Sequence, residues 1–237
     1  IARINAEPLL QLDERLFCLV LWQWLAWQHR GASISTQKVF VVSLPRTGTT
    51  SVCTYLLDYG FKVAHTAYSE TAFDQADVVA DTPVFVDYAS LYSRYPGAKF
   101  VYLERPLVDW VLSIRRLLKS MRKQWVRDST VFEDDIKRCF QAVFPSFDGK
   151  TDFSDDYLQA CYTKHQSAVL GFFADRPEQL LRLSLTQADA GQGLLIFCGG
   201  GDEEEARCHE RLPHVNKGRR ITYWDTIAHH NKISSNV

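Results

Sequence analysis

The stretch that decides the fold is KVFVVSLPRTGTTSVCTYLLDYG, residues 38–60. Its first part, KVFVVS (38–43), is apolar and β-branched, which predicts a buried strand. Its last part, from Thr49 onward, has helical character and ends at Gly60, a residue suited to closing a helix. The segment between them, SLPRTGTTS (43–51), is therefore a loop from a strand to a helix, where proteins commonly bind phosphate.

The composition of this loop is typical of an anion site. Successive backbone N–H groups can converge on one anion, and the positive end of the helix dipole adds to the attraction. Gly48 allows the backbone to approach closely, and hydroxyl donors follow it at Thr49, Thr50 and Ser51. These residues predict that an anion is bound at the start of the helix.

The loop differs from the loop of nucleoside-triphosphate enzymes. Their GxxxxGK[ST] motif uses a lysine for the β- and γ-phosphates and a hydroxyl for magnesium. Here Thr49 follows Gly48 in place of the lysine, and the cation is Arg46. Arginine is a permanent, fork-shaped cation that suits phosphate oxygens. The loop therefore predicts an anion held largely by protein groups, without an obligatory metal.

Strands alternate with helices along the rest of the chain. Further strands are predicted at 61–65, 98–104 and 178–185, and 82–88 is ambiguous between strand and loop. Helices are predicted near 8–29, 49–59, 68–79, 107–127, 131–143, 154–175 and 188–198, and 221–231 could form one more. This alternation predicts an α/β fold with a parallel sheet flanked by helices. Ligands of such sheets bind beyond the carboxyl ends of the strands.

No repeat or linker divides the 237 residues, which predicts one domain over 1–237. It would consist of an N-terminal helical extension at 1–35, a core at 38–220 and a C-terminal tail at 221–237. The net charge of −1 argues against nucleic acid as a partner, because a phosphate backbone calls for a strongly basic face. None of the six cysteines forms a CxxC pair, which argues against zinc-ribbon and thioredoxin-like sites. A chain of this length does not need disulfides, which favours reduced thiols and a cytoplasmic location.

The apolar run LFCLVLWQWLAW (16–27) is the main feature of the N-terminal extension. Its length falls short of the roughly 20 apolar residues that a membrane span needs. We therefore expect no transmembrane span here. The run is interpreted as a helix packed on the core or on a second subunit, and packing on a second subunit would make the protein a homodimer. Contact with a membrane surface, or the remnant of a longer anchor, is the alternative.

The phosphate loop resembles that of a known family, the sulfotransferases that use 3′-phosphoadenosine 5′-phosphosulfate. Their loop has the form P-[KR]-[ST]-G-T-T, and PRTGTTS (45–51) is similar to it throughout. The resemblance implies a sulfotransferase fold like that of P-loop nucleoside-triphosphate hydrolases. It also implies that the loop binds the 5′-phosphate of the donor, through Arg46, Thr47, Gly48, Thr49, Thr50 and Ser51.

Two further stretches are similar to the same family. In YLERPLVDWVLS (102–113), Arg105 and Ser113 are eight residues apart, like the family's 3′-phosphate site. LPHVNKG (212–218) resembles a late loop that closes over the nucleotide. The resemblance implies that its Asn216, Lys217 and Gly218 contact the donor.

The resemblance implies the transfer of a sulfuryl group to a hydroxyl or amine of a small-molecule acceptor. Adenosine 3′,5′-bisphosphate would be the product, and no metal would be obligatory. Arg46 would act in binding and in the transition state, because charge builds on the leaving phosphate. A general base is expected near the end of the second strand or just after it, and the candidates are His65, Glu70 and Asp81. Two alternatives are a nucleoside or small-molecule kinase and a non-catalytic nucleotide-binding module.

Overall fold

The computed structural model describes residues 37–145, 147, 152–199, 212–213 and 224–236. In this part of the chain, five parallel strands form one sheet in the order β2-β3-β1-β4-β5. The strands are β1 (Val39–Val41), β2 (Val63–Ala64), β3 (Val78–Ala80), β4 (Lys99–Glu104) and β5 (Leu180–Ser184). Phe40 of β1 pairs with Val79 on one side and with Phe100 on the other.

Helices connect these strands. They are α1 (Thr49–Asp58), α2 (Glu70–Gln75), α3 (Val84–Arg94), α4 (Leu107–Arg127), α5 (Asp134–Val143), α6 (Asp155–Phe172) and α7 (Ala190–Cys198). Short 3-10 helices lie at Ser129–Val131, Pro177–Gln179 and Trp224–Thr226. All residues of β1 and β3 are buried, as expected for strands covered on both faces. The predicted α/β fold with a parallel, helix-flanked sheet is confirmed.

The strand order creates a crevice between β1 and β4. From β1 the chain moves to one side of the sheet for β2 and β3, and then to the other side for β4 and β5. Open α/β sheets bind ligands where the strand order reverses in this way, outside the carboxyl ends of the strands. The phosphate loop follows β1 and Arg105 follows β4, so the topology brings both to this crevice.

Two expectations about local structure are wrong. The helix predicted at 68–79 is the shorter α2, and its last residues belong to β3. The ambiguous segment 82–88 begins α3. The first error arises because three apolar residues in a row, Val78–Ala80, do not separate a buried strand from a helix by periodicity.

The expected last helix at 221–231 is also not seen in the residues that the structure describes. After the short helix Trp224–Thr226, the chain pairs with the outer edge of β2. The N–H of Val63 donates to the carbonyl of Asn231 (3.0 Å), and the N–H of Ile233 donates to the carbonyl of Val63 (2.9 Å). These bonds satisfy backbone groups that the edge of the sheet would otherwise leave unpaired.

The N-terminal extension, its apolar run and the homodimer expected from it lie outside the described residues. Cys53, Cys139, Cys161 and Cys198 are free thiols and are buried. Among the described residues, no helix is both long enough and apolar enough to span a membrane.

Candidate active site

The phosphate loop has the backbone conformation of an anion cradle. Gly48 has a φ of 116° and Arg46 a φ of 73°, both in the left-handed region. Gly48 precedes the first residue of α1, and no side chain caps the helix there. The N–H of Ser51 donates to the carbonyl of Gly48 at 3.0 Å, so the N–H groups available to a ligand are those before it, at Thr49 and Thr50. Thr47 fixes the turn, because its hydroxyl donates to the carbonyl of Leu44 at 2.8 Å.

Residues from β4 and α4 hold the loop in place. The indole N–H of Trp110 donates to the carbonyl of Pro45 (3.0 Å), and the guanidinium of Arg105 donates to the carbonyl of Arg46 (2.6 Å). The Nε of Arg46 in turn donates to the hydroxyl of Ser113 (3.0 Å). The structure therefore brings Arg46, Arg105 and Ser113 together, although Ser113 is buried behind Arg46.

Positive charge is concentrated at this point. The pKa of Arg46 is lowered, first by burial and then by the nearby cation Arg105, while Asp81 acts in the opposite direction. The positive charge of Arg105 acts unfavourably on Arg46, and an anion bound beside them would offset this repulsion. The charges and the N–H groups at the start of α1 indicate the same kind of ligand, a phosphate or sulfate group.

His65 and Asp81 follow β2 and β3, and both meet the start of α1. The Nε2 of His65 lies 3.2 Å from the hydroxyl of Thr49 and 3.2 Å from that of Thr50. The Thr49 hydroxyl also lies 3.4 Å from Oδ2 of Asp81. The second oxygen of Asp81 accepts a hydrogen bond from the hydroxyl of Thr82 at 3.3 Å. Two of the three candidate bases are therefore linked through one threonine.

Burial shifts both groups towards their neutral forms. It is the main cause that lowers the pKa of His65 below its ordinary value, and the charge of Asp81 opposes this shift. Burial likewise raises the pKa of Asp81, against the effect of His65 and the hydrogen bonds from Thr82 and Thr49. A histidine with a lowered pKa is neutral at pH 7 and can accept a proton.

The third candidate base, Glu70, lies elsewhere. It is exposed at the start of α2 and forms an ion pair with Arg94 of α3. It is not among the described residues that line the site's cavity. The geometry therefore leaves His65 and Asp81 as candidates.

A cavity of about 550 Å³ unites these groups. The loop, His65, Asp81 and Arg105 line one part of it. Its other walls include residues that the sequence did not single out: Thr66, Tyr68, Glu104, Asp109, Leu117, Met121, Ile136, Phe140, Leu185 and Trp224. Leu117 and Met121 are four residues apart on α4, a spacing that places both on one face of the helix. Asn216, Lys217 and Gly218 lie outside the described residues.

A phosphate loop at the switch point of a parallel sheet defines an anion-binding protein of the P-loop type. Comparison with known families identifies it further. Residues 66–221 match the family described as "Sulfotransferase domain". The match covers more than half of the chain, so the chain belongs to the sulfotransferase family and is a sulfotransferase. No curated protein matches the chain.

The matched residues begin at Thr66, after the phosphate loop. The resemblance of the loop PRTGTTS to a sulfotransferase loop is therefore separate from the family match. Arg105 and Ser113 lie within the matched residues. His65 is the residue immediately before the first matched residue, Thr66.

Proposed function

We propose that this protein transfers a sulfuryl group from 3′-phosphoadenosine 5′-phosphosulfate to a hydroxyl or amine of a small acceptor. One observation carries the proposal: the loop, two guanidinium groups and a histidine with a lowered pKa line a single cavity. Its volume of about 550 Å³ is typical of a pocket for a small ligand.

The donor fits the groups that are present. The free N–H groups at the start of α1 suit the 5′-phosphate, with Arg46 beside them. Arg105 and Ser113 suit the 3′-phosphate, together with Asn216, Lys217 and Gly218. The hydroxyl of Ser113 accepts from Arg46. It can still donate its own hydrogen to a phosphate oxygen, because a hydroxyl has one donor and two acceptor positions.

In this mechanism the protein supplies position, charge and a base. The bound donor supplies the sulfuryl group and a phosphate leaving group in line with the attacking atom. Arg46 and the loop N–H groups stabilise the charge that grows on the leaving oxygen. His65 takes the proton of the acceptor, and the Thr49 and Thr50 hydroxyls at its Nε2 hold the ring in place. Asp81, linked through Thr49, stabilises the imidazolium that results.

The far wall of the cavity suits an acceptor with an apolar part. Leu117 and Met121 of α4 and Ile136 and Phe140 of α5 line it. A ring or chain packed there would leave its hydroxyl or amine directed at His65. We therefore propose an uncharged, partly apolar acceptor.

A thermal-shift experiment tests the choice of donor. Adenosine 3′,5′-bisphosphate at 100 times its Kd should stabilise the protein by about 2.7 kcal/mol. Magnesium–ATP serves as the control ligand and should stabilise it much less. The reverse order would favour a kinase and contradict the proposal.

Transfer itself is measured with labelled donor and a panel of phenols, alcohols and amines. Sulfation of an acceptor that persists in EDTA supports the proposal, including the absence of an obligatory metal. Binding of the bisphosphate without any product would favour the non-catalytic nucleotide-binding module.

A further inference from the structure

The C-terminal strap, defined here as residues 224–236, is fixed to the part of the chain that carries His65. It pairs with Val63 of β2, two residues before that histidine. Farther along, the carbonyl of Ser235 accepts a hydrogen bond from the N–H of Tyr68 at 2.8 Å. The strap thus brackets His65 on both sides in sequence, and it lies outside the residues matched to the family.

The first residue of the strap, Trp224, reaches the candidate base. Its ring stacks on the imidazole of His65, with centroids 5.2 Å apart and an angle of 27° between the planes. Lys232 holds Trp224 in place: its ammonium donates to the carbonyls of Trp224 (2.7 Å) and Ile227 (3.1 Å). The same ammonium lies 5.4 Å from the centroid of the Trp224 ring. The indole therefore has a defined position against His65.

Trp224 also forms part of the wall between two cavities. It lines the candidate active site, and it lines a second, more polar cavity of about 410 Å³. The second cavity is bounded by strap residues including Lys232, Ser234 and Asn236. Thr66 and Tyr68 line both cavities as well, and the indole is the part of this shared lining that covers the imidazole.

We propose that Trp224 is a positioning residue for proton transfer, which orients the imidazole of His65 towards the acceptor and keeps water away from it. The proposal rests on the proposed function, in which His65 is the base. The ring itself exchanges no proton. The charged groups that act on His65 are Asp81 from the segment after β3, and Asp225 and Lys232 from the strap.

The test compares W224A and W224F with H230A. His230 lies in the same strap, where its ring stacks on His229, and it does not line either cavity. Two quantities are measured: the pKa of His65, by NMR titration of its ring nitrogens, and kcat with the acceptor found above. In W224A we expect the pKa of His65 to rise to about 6.5, its value in water. We also expect kcat to fall by up to about 100-fold, the effect of a misplaced catalytic group.

H230A should keep the wild-type pKa of His65 and the wild-type kcat. W224F, which keeps a smaller ring at 224, should shift both quantities less than W224A does. The affinity for adenosine 3′,5′-bisphosphate should be unchanged in all three variants. K232M keeps the indole but removes the ammonium that donates to the carbonyls of Trp224 and Ile227. Because the charge of Lys232 itself lowers the pKa of His65, only kcat is compared for K232M. This variant should lower kcat in the direction of W224A. It provides the answer if W224A does not fold.

Three results would overturn the proposal. W224A could raise only the KM for the acceptor, which would make Trp224 a pocket wall. W224F could lose as much activity as W224A, which would assign the effect to the indole N–H. H230A could match W224A, which would assign it to general loosening of the strap. If the wild-type protein sulfates nothing, the proposed function fails, but the NMR titration still decides whether Trp224 controls His65.

Discussion

Gly48 has a backbone conformation in which a residue with a side chain would be strained. Its φ of 116° is rarely adopted by other residues, and an added Cβ would lie 2.1 Å from Cδ1 of Leu185. The Leu185 side chain can rotate away, but the backbone strain remains. We expect Gly48→Ala to destabilise the protein by about 1–3 kcal/mol, the cost of such a backbone conformation, and to weaken binding of the bisphosphate.

Urea denaturation and calorimetric titration measure the two effects of Gly48→Ala. Gly193→Ala is the matched control, because an added Cβ there meets nothing within 4 Å. It lies inside α7, where alanine is favoured over glycine by about 0.5–1 kcal/mol. Equal behaviour of the two variants would show that the loop tolerates a side chain and would argue against a cradle at Gly48.

The lowered pKa of His65 sets the expected dependence of activity on pH. A base must be unprotonated to accept a proton. Burial lowers the pKa of His65 below the ordinary value of about 6.5. We expect kcat to be constant near neutral pH and to fall on the acid side, below that value. Since the charge of Asp81 raises the pKa of His65, Asp81→Asn should move this acid limb to still lower pH.

Profiles of kcat against pH for the wild type and Asp81→Asn check these signs. His65→Gln serves as the control, because it removes the titrating group and should abolish the acid limb along with most activity. If Asp81→Asn lost the acid limb and most activity while His65→Gln kept both, Asp81 and not His65 would be the group that accepts the proton.

At the scale of elements, α4 and α5 together form the apolar wall of the cavity. Ile136 of α5 lines the cavity and is only partly buried, so its truncation should disturb the core little. We expect Ile136→Ala to raise the KM for an apolar acceptor by about tenfold, the scale of a lost methylene contact in a pocket. The Kd of the bisphosphate should not change.

Steady-state kinetics with the best acceptor measure the effect of Ile136→Ala. Ile196→Ala makes the same chemical change on α7, at a residue that is 41% exposed and does not line the cavity. If Ile196→Ala raised the KM equally, the apolar wall would not be where the acceptor binds.

The sequence pattern predicts best those strands and helices that extend over many residues. The six-residue β4 and the 21-residue α4 lie close to the predicted boundaries. β3 has only three residues, and its pairing with β1 and β2 is a long-range event that no local pattern contains. The pairing of the strap with Val63 is the same kind of event.

At the scale of the whole molecule, the predictability of the site depends on where its residues come from. The loop and the pair Arg105 and Ser113 have a fixed spacing in sequence, so a motif predicts them. Trp224 comes to His65 from about 160 residues away, because the strap pairs with the edge of β2. A contact of this kind follows from the sheet topology, which a single sequence specifies only through the complete fold.

The whole molecule should also lose stability in acid because of a buried histidine outside the site. His165 of α6 donates from Nε2 to the carbonyl of Phe85 at 2.8 Å, and it is 8% exposed. Burial lowers its pKa from 6.5 to about 4. Between these two pH values the unfolded chain binds a proton that the folded protein excludes, so stability falls as pH falls.

We therefore expect His165→Gln to flatten the pH dependence of the free energy of unfolding. A glutamine amide can still donate to the Phe85 carbonyl but does not titrate. Relative to pH 8, the wild type should lose about 2 kcal/mol more than the variant at pH 5. Urea denaturation at both pH values measures this difference. At pH 8 the histidine is neutral in the folded and the unfolded protein, so the difference between wild type and variant at pH 8 gives any other effect of the substitution. Parallel losses in the two proteins would mean that the imidazole becomes protonated in the folded state, with water reaching its Nδ1.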